Sequence, residues 1–118
     1  SSTILDYNEI VTEIKVPALP AGTKSIFMKF ALRKSIDFPV VNCAIMTGDE
    51  PRICINAIAP TPIRAYKAEE VLRGKAINES VADAVGEAAV DGAHPFEATK
   101  YKLQIAKTLV KRALLELQ

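Results

Sequence analysis

The chain changes its hydrophobic rhythm near the middle. Before residue 60, apolar and polar residues tend to alternate; after it, apolar residues recur every three or four positions. Alternation places successive side chains on opposite faces of a strand, and the longer period stacks them along one side of a helix. In EIVTEIKV, residues 9–16, Ile10, Thr12, Ile14 and Val16 oppose Glu9, Val11, Glu13 and Lys15, which predicts a half-exposed strand. PALPAG then interrupts it, because Pro17 and Pro20 lack backbone donors and Gly22 permits a turn. From residue 25, Ile26, Met28, Phe30 and Leu32 form a core-facing set, with Ser25, Phe27, Lys29, Ala31 and Arg33 on the other side. VVNCAIMT and RICINAIA supply two more strands, separated by Gly48, Asp49, Glu50 and Pro51, a turn of hairpin length. These three runs predict an antiparallel meander.

Thr61 followed by Pro62 is a helix-start signal, since Thr can cap free amides and Pro at the first helical position loses nothing by lacking one. Ala65, Ala68, Val71 and Leu72 give the apolar stripe, and Gly74 sits where a left-handed terminator belongs. Asn78 or Ser80 can cap a second helix, with Asp83 completing a loose capping box for Ser80; Val81, Val85, Ala88 and Ala89 supply its buried side, and their small size implies close packing. After DGAHPFE, a loop by its Gly and Pro content, a third helix is predicted from about Ala98 to Leu117. Its wide apolar face, from Ile105 and Ala106 through Leu114 and Leu117, suits a helix lying across a sheet. The expected fold class is α+β: an antiparallel sheet of three to four strands followed by three helices packed on one face.

The whole chain, residues 1–118, fits one domain. A net charge of +1 gives no reason to expect nucleic acid or an anionic membrane as partner. No apolar run approaches the ~20 residues of a membrane span, and no signal peptide is visible, so a cytoplasmic location is expected. Cys43 and Cys54 lack metal-ligand spacing and read as free thiols, with a disulfide left open. The sole histidine, His94, has no orienting partner nearby in sequence and is not taken as a catalytic base. The five glycines are dispersed, so there is neither a dinucleotide-binding glycine loop nor a P-loop. Lys100, Lys102, Lys107, Lys111 and Arg112 read as a solvated helix face or as a docking surface for an acidic partner.

Phe27 stands apart. It places an aromatic ring between Ser25 and Lys29 on the polar side of a strand, ahead of a loop carrying Arg33, Lys34 and Asp37. A planar apolar ring beside a fixed cation suits a planar heterocycle that gains negative charge, offering stacking area together with electrostatic compensation.

The succession EIVTEIKVPALPAG, FMKFALRKSIDFPVV, IAPTPIRAYKAEEVLRGK and ATKYKLQIAKTLVKRAL resembles the C-terminal domain of the FAD-binding subunit of molybdenum hydroxylases, across essentially the whole chain. The most specific element is APTPIRA followed by an acidic helix and Leu-x-Gly. The resemblance implies an oxidoreductase component, inactive alone, in which electrons pass from Mo-molybdopterin through [2Fe–2S] clusters, both in partner subunits, to FAD. The N-terminal domains that hold most of FAD are absent from these residues. By the same resemblance Phe27, Lys29, Asp37 and Tyr101 are the cofactor-facing residues, while no catalytic residue or metal ligand is expected. The family often has Tyr where Phe27 stands and Ala where Pro39 stands, and its S-x-x-Y-R becomes Ala98, Thr99, Lys100, Tyr101 and Lys102. Lysine cannot make arginine's bidentate contact. Arg64 and Arg112 match family positions read first as structural. Homo-oligomerisation is left open, and the alternative function is a non-catalytic interaction or dimerisation module.

Overall fold

A computed structural model of the chain describes residues 3–34, 36–93 and 99–118. Four strands, β1 (Ser25–Phe30), β2 (Val41–Met46), β3 (Arg52–Asn56) and β4 (Ile63–Arg64), precede three helices, α1 (Tyr66–Leu72), α2 (Glu79–Ala88) and α3 (Tyr101–Leu115). The strands form one antiparallel meander in the order β1-β2-β3-β4. Gly48, at φ 126°, makes the β2–β3 turn in a region that a side chain would strain.

The pleat gives the sheet two unlike faces. Val41, Cys43, Ile45, Ile53 and Ile55 are buried on one, with Ile26, Met28 and Ile63 packed alongside. The apolar stripe of α3, formed by Ala106, Leu109, Val110, Ala113 and Leu114, joins the same core. α2 packs against α3 so closely that a Cβ on Gly86 would stand 2.8 Å from the Lys107 carbonyl oxygen. The meander and the helices on one face are as the periodicity predicts. Asn78 caps α2, its side-chain oxygen accepting the Val81 N–H at 2.9 Å. Gly74 takes the left-handed conformation after α1, φ 69°.

Three predicted features differ. Residues 9–16 are not in the sheet: their side chains are exposed and none pairs with a described strand, because an alternating segment becomes a strand only where an edge accepts its backbone. Thr61 and Pro62 do not start a helix. The chain instead adds β4 to β3, placing Ile63 opposite Ile55, and α1 begins after Ala65 without a side-chain cap. The Ala65 N–H donates to the Ile53 carbonyl at 2.8 Å, so satisfying the β3 edge takes precedence over an early helix. Phe30 and Leu32, placed on the core side by the alternation, are 42% and 83% exposed, since the strand ends at Phe30 and the chain leaves the sheet there. His94 and Ala98 lie outside the described residues, and α3 is described from Tyr101.

The cysteines occupy opposite faces. Cys43 pairs with Ile55 in register and Cys54 with Ala44, so Cys43 points into the core and Cys54 out of it, and no disulfide joins them. Burial pushes the Cys43 thiol up to about 11.

Candidate functional site

The helices cover one face of the sheet and leave the other open. Its central row runs Phe27, Ala44, Cys54 and Arg64 across four strands; Ser25, Met46 and Arg52 flank it on one side, Lys29, Asn42 and Asn56 on the other. Phe27 is 63% exposed. Next to it, the methyl of Ala44 and the thiol of Cys54 are too small to rise above the sheet, so the ring borders a shallow depression of about 360 Å³ lined also by Met46 and Arg52. Neighbouring strands lie about 4.8 Å apart, so the step from β1 to β3 gives a flat strip roughly 10 Å wide. Lys29, Arg52 and Arg64 place cations around that strip.

Arg64 is held rigidly. Its Nε and Nη2 donate to the two Glu69 oxygens at 2.9 and 3.0 Å, and its guanidinium lies over the Tyr66 ring, 4.9 Å from the centroid. Glu69 is buried and also accepts the Ile53 N–H at 2.9 Å. Burial alone would raise its pKa, but the Arg64 and Ile53 hydrogen bonds outweigh that and leave it below the ordinary carboxylate value. α1 thus anchors, through one acid, both a sheet amide and a cation on the open face.

Asp37 works within its own loop. Its carboxylate accepts two hydrogen bonds from Arg33, at 2.9 and 2.8 Å, and one from the Phe38 N–H at 3.0 Å. The Arg33 guanidinium, chiefly, holds its pKa below the usual range. Lys29 Nζ donates to the Asp37 carbonyl at 3.3 Å, so the loop is fastened beside the open face. Phe27, Lys29 and Asp37 are therefore brought together. Tyr101 is not among them: it opens α3, in the helical layer on the far side of the sheet, and is 57% exposed.

Ala44, Met46 and Arg52 carry no signal of their own in the sequence and Cys54 reads there only as a free thiol, because their shared surface exists only once the register across β1–β3 is fixed. Alternation within β2 and β3 carried the signal. The lysines of α3 prove largely engaged inside the molecule: Lys107 pairs with Glu87, Lys111 with Glu79 and Asp83, and Lys102 donates to the Ala57 carbonyl.

The open face suits the tricyclic part of a flavin, being apolar at Phe27 and Ala44 and bordered by the cations Lys29, Arg52 and Arg64. The dispersed glycines provide no phosphate cradle, so these residues fit the ring and not the whole dinucleotide. Among the described residues, no group of three His, Cys, Asp or Glu could hold a metal, and no helix is long and apolar enough to cross a membrane.

A helix-backed antiparallel meander with one open face that carries Lys29, Arg52 and Arg64 defines a small α+β domain. The chain belongs to the CO dehydrogenase flavoprotein C-terminal domain family, whose model matches residues 26–117. It is 34% identical to the carbon monoxide dehydrogenase medium chain of Hydrogenophaga pseudoflava over 122 residues, covering 95% of this chain and 42% of that one. It is 28% identical to a putative xanthine dehydrogenase FAD-binding subunit of Escherichia coli K12, again over 95% of this chain and 42% of the relative. Among solved structures, the carbon monoxide dehydrogenase of H. pseudoflava superposes with a TM-score of 0.74 at 35% identity, covering 85% of this chain and 38% of that chain. Quinoline 2-oxidoreductase of Pseudomonas putida 86 gives 0.70 at 28% identity, covering 80% and 36%. The chain thus spans well under half the length of the relatives it matches.

Proposed function

We propose that this domain closes the flavin pocket of a molybdenum hydroxylase flavoprotein, its open sheet face lying against the isoalloxazine of an FAD whose phosphates are held by other polypeptide. The observation that carries this reading is Phe27, an aromatic ring standing exposed on the open sheet face next to Lys29, where no described helix covers it. Phe27 would supply stacking area. Lys29, tied to the Asp37 carbonyl, would hold a positive charge at the edge of that surface, and the clasp between Arg33 and Asp37 would fix the loop beside it. Asp37 therefore acts by shaping the loop, and Tyr101 would face a neighbouring subunit or domain from the helical layer. Bound there, FAD would supply two-electron redox chemistry, accepting electrons that originate at molybdenum and pass through [2Fe–2S] clusters in partner subunits. The relatives, a carbon monoxide dehydrogenase medium chain and a putative xanthine dehydrogenase FAD-binding subunit, support a place in a flavoprotein of this kind.

The test uses a flavoprotein in which this chain replaces the matching region of the H. pseudoflava medium chain. Phe27→Ala is expected to weaken FAD binding about tenfold, the loss of one aromatic stack. Lys29→Ala is expected to lower the flavin midpoint potential by about 20 mV, as removal of one exposed cation should. Unchanged binding and potential in both variants would remove these residues from the flavin's surroundings.

A further inference from the structure

One apolar pattern in the chain is not used by its own fold. Residues 9–16 carry five β-branched side chains, Ile10, Val11, Thr12, Ile14 and Val16, the types that suit a pleated surface. Ile10, Ile14 and Val16 lie on one side of that pleat and are 82%, 84% and 86% exposed. The other side carries the Lys15–Glu13 ion pair at 3.0 Å. This is an amphipathic, strand-like segment with no partner strand among the described residues. Its own domain does not accept it: Pro17 and Pro20 interrupt the path to β1, and a turn closed by the Thr23 N–H on the Pro20 carbonyl, 3.2 Å, redirects the chain.

The comparisons indicate where such a sheet would be. Similarity to the H. pseudoflava medium chain covers 95% of this chain, leaving out at most about six residues, whereas the match to the C-terminal domain family runs only from residue 26. Residues 9–16 are therefore shared with the relative yet precede the stretch that matches the C-terminal domain family. We infer that residues 9–16 form a strand in a sheet of the FAD-holding part of the flavoprotein, added along a free edge with Ile10, Ile14 and Val16 on its buried side. This rests on the proposed role against such a part. Backbone pairing along the edge would supply affinity, and the alternating apolar side chains would set register. The domain would then be hung over the flavin from that strand by residues 17–24, a linker reaching at most about 28 Å.

Hydrogen exchange reads this directly in the replacement flavoprotein described above and in the 118-residue chain alone. The expected result is fast exchange throughout residues 9–16 in the chain alone and at least about hundredfold slower exchange at alternate amides in the flavoprotein. Ile10→Asp with Ile14→Asp is expected to abolish that protection and leave the stability of the chain alone unchanged, since neither side chain is buried in it. Equally fast exchange in both proteins overturns the inference, and so does protection already present in the chain alone, which would mean pairing within this domain. The two proposals fail separately. Fast exchange with normal FAD binding removes the strand and keeps the flavin surface, while slow exchange with no effect of Phe27→Ala does the reverse.

Discussion

Glu69 is the buried acid among the described residues, and three hydrogen bonds from Arg64 and Ile53 keep it charged there. Because its folded pKa is depressed, its contribution to stability is complete above the ordinary carboxylate range and is lost as pH falls through the lowered folded value. Urea unfolding should therefore show stability declining below about pH 4.5. Glu69→Gln should cost about 2–3 kcal/mol at neutral pH, by leaving the Arg64 cation and the Ile53 amide poorly matched, and should flatten the acid decline. An acid limb identical in the two proteins would show that other carboxylates govern it. Sequence alone does not reveal this acid's role. Residues 64 and 69 are only five apart in the chain, but the third partner, Ile53, comes from a strand whose register must be known first. The exposure of Phe27, by contrast, was legible from alternation alone, since it falls between Ser25 and Lys29 on the polar side of the strand.

Among the elements, the second and third helices show what close approach requires. Gly86 sits where α2 touches the α3 backbone, and any Cβ there would press on the Lys107 carbonyl, which cannot move without displacing the helix. Gly86→Ala gains helix propensity, about 1 kcal/mol in an open helix. Overpacking of about 1–3 kcal/mol opposes that gain, so the variant should be destabilised by about 1 kcal/mol in denaturant titrations. A stabilised variant would mean that the helices separate easily. The same helix pair accounts for the basic character of α3, whose Lys107 and Lys111 meet acids of α2. Small residues in α2 announced the close packing; the charge pairing across it could not be read from one helix. Element types were mostly legible because a buried face imposes its period. The exceptions, residues 9–16 and the two-residue β4, are decided by which sheet edges need partners, and that is a property of the assembled sheet.

At the scale of the whole molecule, the radius of gyration is 15.6 Å, above the roughly 13.5 Å of a compact chain of this length. The arm before β1, exposed along nearly all its length, accounts for the excess. An open sheet face at one side and an unpaired amphipathic arm leading into the same domain are the two features on which the proposed placement in a larger flavoprotein rests. Composition and glycine spacing could exclude an autonomous nucleotide site. They could not show which face is left open, because that depends on α3 packing against the Val41, Cys43 and Ile45 side of β2.

The most direct measurement is a methyl NMR spectrum of the replacement flavoprotein, recorded with FAD bound and after FAD removal. Ala44 is exposed beside Phe27, and Ala82 is buried in α2 on the helical side. A flavin ring lying on the sheet should shift the Ala44 methyl upfield by its ring current while leaving Ala82 in place. An Ala44 resonance indifferent to FAD would mean that the open face meets something other than the flavin.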